Sequence, residues 1–250
     1  MNTTNYQQVY GLHAVKQIFT NDISRIIEIW VQQDRQDIVL SSLIQQAQQQ
    51  GLRLQWVTKK TLDKLTQNSH HQGIVIRYKA SQFAQDLQLE DYIASLTTLP
   101  FLLILDQVQD PHNLGACLRS ADAAGVHAVI TPKDRACSLT PTVCKVASGA
   151  ADTVPLFQVT NLVNTLNWLK KQGIWLIGTA GESQQSLFDT SLTGAIALIL
   201  GAEGKGLRRL TRETCDSLIA IPMLGKVESL NVSVATGVCL YEALRQRQKL

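Results

Sequence analysis

The chain has 250 residues, a mean hydropathy of zero, 45% hydrophobic and 17% charged residues, and a net charge of +3. Those are globular values, and they exclude wholesale disorder and collagen-like repeats. The longest apolar runs, at 101–105 and 195–200, fall far below the roughly 18 residues of a membrane helix. The opening MNTTNYQQVYGLH lacks a basic stretch followed by an apolar core, so no secretory leader is expected. The five Cys stand far apart without a CxxC pair. That spacing points to free thiols rather than a disulfide frame or a zinc site.

Residues 1–80 carry a net +4, residues 81–100 a net −3 and the remainder +2. A basic first part, an acidic strip and a near-neutral body suggest two modules and a connector. The first module reads as mixed α/β. His13 to Phe19 is expected to be helical and IIEIWV at 26–31 a strand. Ile38 to Gln50 carries an apolar helical stripe at Val39, Leu43, Ile44 and Ala47, and Gly51 is placed to close it. The run of Gln between 45 and 50 falls on its wet face. LRLQWV at 52–57 reads as a strand, Thr58 to Thr66 as a short helix and GIVIRY at 73–78 as the last strand. Lys59, Lys60, Lys64, Arg77 and Lys79 gather near that strand, where a solvated surface is the plainer reading than a polyanion face. Residues 81–99 read as a linker, with a helical turn or two in LEDYIASL.

From residue 100 strands alternate with helices. FLLILD at 101–106, HAVIT at 127–131, VPLF at 154–157, IWLIGT at 174–179, AIALIL at 195–200 and LIAIP at 218–222 read as strands. Leu114–Ala124, Pro141–Ala147, Leu162–Lys171, Gly206–Thr214 and about Val232–Arg247 read as helices. Runs apolar on both faces argue for a mainly parallel sheet covered on both sides. Ligands of such sheets sit beyond the carboxyl ends of the strands, so the loops after the strands are the place to look for chemistry.

Three of those loops carry unusual residues. In DQVQDPHNLGACLRSADAAG, residues 106–125, Asn113 is expected to cap the coming helix and Arg119 to lie on it. The five donors of Arg119 suit a phosphate or carboxylate. In GAEGKGLRRL, residues 201–210, closely spaced Gly would bring backbone donors near a ligand. Glu203 in its centre disfavours a pyrophosphate and suits hydroxyls, amines or a positive centre. In MLGKVESLNVSVATG, residues 223–237, Ser229, Asn231 and Ser233 open a largely apolar helix. Capping alone requires fewer polar side chains than these. Val232, Ala235, Thr236, Cys239 and Ala243 then form a small-residue stripe suited to core or interface packing. The His have no metal-ligand spacing, and the thiols read as structural.

Together these loops resemble the three signature motifs of the SpoU class of RNA ribose 2′-O-methyltransferases. Asn113 with Arg119 comes first, then Gly201-Ala202-Glu203-Gly204, then Ile221-Pro222-Met223 leading to Ser229-Leu230-Asn231-Val232-Ser233. VYGLHAVKQIF and HQGIVIRY are similar to the family's small RNA-binding domain. The subgroup resembled is the one that methylates a guanosine in the peptidyl-transferase loop of 23S rRNA. The resemblance implies an N-terminal substrate RNA-binding domain over 1–80, a linker over 81–99, and a knotted (trefoil) α/β methyltransferase domain over 100–250. It implies S-adenosylmethionine held by Gly201, Ile221 and Leu230, mostly through backbone groups. It implies catalytic work by Arg119, with Asn113, Glu203, Ser229 and Asn231 ordering the site. No metal is expected.

It further implies a cytoplasmic homodimer paired through the C-terminal domain, with no membrane contact, acting on 23S rRNA or a pre-ribosomal particle. Two alternatives stay open on the sequence. One is the same chemistry on tRNA or another rRNA site. The other is a non-catalytic RNA-binding assembly factor, against which the presence of Asn113, Arg119, Glu203 and Asn231 argues. The loop departs from the family pattern at Lys226 and Glu228, where small neutral residues are expected.

Overall fold

A computed structural model describes residues 6–79, 88–204 and 206–248. The first part of the linker, through residue 87, lies outside the described residues.

Among the described residues the N-terminal part holds four strands and three α-helices. In chain order they are β1 (Tyr6–Tyr10), α1 (Leu12–Asp22), β2 (Ile26–Gln32), α2 (Ile38–Gln49), β3 (Leu54–Val57), α3 (Lys59–Leu65) and β4 (Ile74–Lys79). The sheet order is β1-β4-β2-β3, with β4 antiparallel to both neighbours and β3 parallel to β2. The residues alone do not predict β1. Its YQQVY has no clear alternation, and pairing with the apolar β4 is what makes it a strand.

Local chemistry explains α2. Asp37 accepts hydrogen bonds from the Val39 and Leu40 amides at 3.0 and 3.1 Å. At the other end Gly51, at φ 71°, lets its own amide reach Gln48 and that of Leu52 reach Ala47, a Schellman cap. Leu40, Leu43 and Ala47 are buried, while Gln45, Gln46, Gln48, Gln49 and Gln50 are exposed. α1 and α2 cover one face of the sheet over Val9, Ile29, Val31, Ile74, Ile76 and Tyr78. α3 covers part of the other, where Leu62 packs with Tyr10, Trp30 and Val75.

The second part begins with α4 (Leu89–Ser95), which buries Leu89 and Ile93 against the larger sheet. There follow β5 (Phe101–Asp106), α5 (Pro111–Ala123), β6 (Ala128–Pro132), α6 (Pro141–Ala147), α7 (Ala150–Thr153), β7 (Leu156–Val159) and α8 (Leu162–Lys171). The chain ends with β8 (Trp175–Thr179), β9 (Ile196–Gly201), α9 (Arg209–Thr214), β10 (Ser217–Ile219) and α10 (Val232–Arg247). The strands form one parallel sheet in the order β10-β8-β9-β5-β6-β7.

Every residue of β5 is buried. Leu103 and Leu105 face α5, α6 and α10, while Leu102 and Ile104 face α4 and α8. That two-sided cover is why FLLILD is an unbroken apolar run. Several expected boundaries move by a few residues. The helix of the second loop starts at Arg209 rather than Gly206, the last strand is Ser217–Ile219, and α7 is additional.

The two parts meet through α6 and α7. Arg25 pairs with Asp152 at 2.9 Å and the Tyr78 hydroxyl donates to the same carboxylate at 3.4 Å. Burial raises the Asp152 pKa, and the Arg25 charge opposes that rise. Lys145 of α6 donates to the His70 carbonyl at 3.2 Å and lies over the Tyr10 ring at 5.0 Å.

None of the five cysteines forms a disulfide among the described residues. Burial pushes Cys117 up to about 11 and Cys144, Cys215 and Cys239 up to about 12. At pH 8 their thiolate fractions are therefore about 10⁻³ or less. A disulfide-exchange reagent at that pH is expected to modify half-exposed Cys137 first and to reach buried Cys117, Cys144 and Cys239 only on denaturation.

Candidate active site

In the parallel sheet the strand order reverses between β5 and β9, which lie side by side with Asp106 level with Gly201. Ligand crevices of open α/β sheets form at such a switch. The first loop leaves β5 there and the second leaves β9, while the third arrives from β10 and starts α10.

The three loops meet at one side chain. The Asn231 oxygen accepts from the Ser233 amide at 2.9 Å and the Ser233 hydroxyl at 2.6 Å, capping α10. Its nitrogen donates to Asn113 Oδ1 at 3.0 Å and to Glu203 Oε2 at 3.4 Å. Every hydrogen-bonding direction of this amide is used, and the cap fixes which end is oxygen. The Asn113 nitrogen and Glu203 Oε1 have no partner among the described residues, so both remain available to a ligand.

Asn113 is not a cap. Pro111 starts α5 two residues earlier, and Asp110 caps it by accepting from the His112 amide at 2.9 Å. An Asp-Pro pair is the stronger start signal, because Pro suits the first helical position. Asn113 is thereby free to face α10.

Arg119 does not join this node. Six residues along α5 carry it about 240° round the axis from Asn113. It is exposed and has no hydrogen bond or ion pair among the described residues. Ser229 is likewise exposed and outside the network. Ile221 and Leu230 are half-buried, with Ile221 packed on the core. Lys226 and Glu228 are both exposed and are not paired with each other among the described residues.

The small-residue stripe of α10 turns inward. Val232, Thr236, Cys239 and Ala243 are buried, and Cys117 of α5 meets the Thr236 hydroxyl at 3.4 Å.

Two residues that the sequence does not single out hold the second loop. Asp106, 0% exposed at the end of β5, takes Arg208 Nε and its terminal nitrogen at 2.7 Å each, and the Arg208 amide at 3.1 Å. The Arg208 side chain is 41% exposed, so its loss would leave the buried Asp106 carboxylate without its cation while costing less than the loss of a partner in a fully buried pair. The available signal was a carboxylate ending an all-apolar strand. Beside it the loop passes directly over Gly201, where a Cβ would stand 2.0 Å from the Gly206 carbonyl carbon and 2.4 Å from the Leu207 nitrogen. The obstruction is backbone, so Gly201→Ala must push the loop off the strand end. It is expected to weaken S-adenosylmethionine binding at least about tenfold by calorimetry, with stability lowered by about 1–3 kcal/mol.

Residues 100–241 match the SpoU rRNA Methylase family, and residues 8–84 match the RNA 2′-O ribose methyltransferase substrate binding domain. The chain belongs to the SpoU rRNA methylase family. It is 54% identical over 240 residues to the 23S rRNA (guanosine-2′-O-)-methyltransferase RlmB of Shewanella oneidensis, covering 96% of this chain and 97% of that protein. It is 53% identical over 241 residues to RlmB of Escherichia coli strain K12, covering 96% and 99%. The fold matches the crystal structure of an RNA 2′-O ribose methyltransferase with a TM-score of 0.83 at 24% identity, over 99% of this chain and 91% of that one. It also matches the SpoU methyltransferase AviRb from Streptomyces viridochromogenes in complex with AdoMet, with a TM-score of 0.78 at 22% identity, over 98% and 92%.

Proposed function

We propose that the chain transfers a methyl group from S-adenosylmethionine to the ribose 2′-hydroxyl of a guanosine in 23S rRNA, in the peptidyl-transferase loop. The observation that carries this reading is the Asn231 node, which joins all three signature loops by hydrogen bonds at the strand-order switch. It is supported by near-full-length similarity to the RlmB proteins.

The residues present suit the cofactor. Gly201 lies where no Cβ is tolerated, Ile221 and Leu230 offer apolar walls, and Glu203 supplies an acceptor with an open oxygen. When bound, S-adenosylmethionine supplies a methyl group already activated by its sulfonium. The protein must therefore hold the 2′-oxygen in line, and positioning is a large share of such catalysis. Arg119 takes the phosphate beside the target ribose and orients the hydroxyl. Its fork of donors suits that positioning role rather than that of a base. The hydroxyl proton leaves to a phosphate oxygen or to water. Asn113, through its open amide nitrogen, and Ser229, through its exposed hydroxyl, contact the nucleotide, while Asn231 and Glu203 hold the loops in register.

The same reading includes a division into an RNA-binding part over 1–80, a linker over 81–99 and a catalytic part over 100–250. It includes a deep trefoil knot near the C-terminus. It also includes a cytoplasmic homodimer on 23S rRNA or a pre-ribosomal particle. Val234 and Tyr241 face outward on α10, 52% and 53% exposed. That face, not the small-residue stripe, is the one offered to a second copy.

The test is transfer of labelled methyl onto protein-free 23S rRNA and bulk tRNA from cells lacking this protein, with the modified ribose mapped. Label on one 23S guanosine ribose is expected. Label on tRNA alone would overturn the substrate and keep the chemistry. No label on rRNA, tRNA or pre-ribosomal particles would overturn the enzymatic reading.

A further inference from the structure

We infer that the lysine face of α3, formed by Lys59, Lys60 and Lys64, is a phosphate-binding surface along which substrate RNA runs toward the first signature loop. The inference rests on the methyltransferase reading above and assigns a surface that the reading leaves open. α3 turns Leu62 inward to Tyr10, Trp30 and Val75. Its three lysines face outward, exposed, without a hydrogen bond or ion pair among the described residues.

The acidic groups nearby are occupied elsewhere. Asp63, on the same helix, is held by His71 Nε2 at 3.1 Å, and Glu28 on the sheet beneath is paired with Arg77 at 2.7 Å. Arg77, which also lies over the Trp30 ring at 5.3 Å, is thus neutralised and does not belong to the surface. The hydrogen bond from His71 does not cancel the Asp63 charge, so α3 sets three lysines against one carboxylate, a net positive charge on one side of the N-terminal part.

Its place in the fold distinguishes it from an ordinary solvated helix. The end of α3 is tied to β1 by the Gln8 side-chain amide, which donates to the Leu65 carbonyl at 2.8 Å. Tyr10 of β1, packed on Leu62, lies under Lys145 of α6, and Lys145 also reaches His70 beyond α3. The next residue, Val146, presses on α5 at Gly115, where a Cβ would meet it at 2.7 Å. Gly115 lies between Asn113 and Arg119. The lysine face is therefore linked to the first signature helix through Tyr10 of β1 and then α6. Lys145 lies on that route as a further cation. An extended polyanion fits this row, and a small phosphate ligand does not need it.

The experiment is the salt dependence of binding to protein-free 23S rRNA by the full chain and by the triple variant Lys59→Gln, Lys60→Gln, Lys64→Gln. Each phosphate that the protein no longer neutralises lowers the slope of log K against log salt by about 0.7–0.9. The triple variant is expected to lose about 2–3 from the slope and to bind at least about tenfold more weakly near 0.15 M salt. Its melting temperature, its S-adenosylmethionine affinity and its kcat at saturating RNA should stay unchanged. Lys171→Gln on α8, which packs on the opposite face of the larger sheet, should leave the slope within error. An unchanged slope in the triple variant would overturn the surface, as would an equal loss in Lys171→Gln. A wild-type chain that binds S-adenosylmethionine but never methylates RNA would overturn the underlying reading instead.

Discussion

Arg119→Ala is expected to lower methyl transfer on the order of 10³-fold, with S-adenosylmethionine affinity changed less than about twofold. The split follows from where the residue sits. Arg119 is an exposed side chain on α5 without a protein partner among the described residues, so its loss removes no internal contact and opens no cavity. Stability should change by less than about 0.5 kcal/mol, as at other open surface positions. The loss is confined to the step in which charge and geometry around the 2′-hydroxyl matter. Removing one well-aimed donor from such a site costs about 10²–10³ in rate, and a guanidinium fork supplies more than one. Single-turnover transfer and cofactor calorimetry on the same preparation check the result. Near-normal turnover would remove Arg119 from the mechanism. Arg119→Lys should recover little, because a point charge replaces a planar fork.

Asn231 carries the second large effect, and two variants separate its two roles. In Asn231→Ala both roles go. Without the α10 cap the fold is weaker by about 1 kcal/mol, which lowers Tm by about 2–4 °C in a protein of this size. Asn231→Asp keeps the oxygen that caps Ser233 but replaces the nitrogen with a second oxygen. That oxygen then faces Glu203 Oε2, from which the nitrogen stands at 3.4 Å. Two like charges so close repel by about 1–4 kcal/mol, depending on how much water enters, and Glu203 must swing away. Asn113 can rotate its amide to meet the new oxygen, so the second loop rather than the first is displaced. The Asp variant should melt within about 3 °C of the wild type and still lose about 10²-fold in transfer. If it retains full activity, the contact with Glu203 is incidental and the node is only a helix cap.

The local elements were largely legible in the residues. Asp37 and Gly51 bracket α2 by chemistry that needs no tertiary partner, and a strand such as FLLILD advertises burial on both faces. Where local patterns misled, a distant partner or a stronger neighbouring signal decided. YQQVY is a strand because β4 offers it an antiparallel edge. Asn113 looked like a cap because Asn is a good one, yet Asp110 with Pro111 starts the helix earlier. The inward turn of the α10 stripe depends on α5 lying beneath it, where Cys117 meets Thr236.

The candidate site divides along the same line. The residue types of the three loops, and their order along the chain, are properties of the sequence, and they carried the resemblance to the SpoU class. Which of those residues touch is not. Asn231 binds Asn113 across 118 positions and Glu203 across 28, and separations of that kind have no local signature. The Asp106–Arg208 pair, 102 residues apart, went unread for the same reason. A carboxylate at the end of an apolar strand becomes meaningful only when folding buries it and brings it a cation. Short-range backbone and capping preferences wrote the elements into the sequence. The meeting of the loops was decided by the parallel sheet, whose strand order reverses between β5 and β9 and so brings distant loops to one crevice.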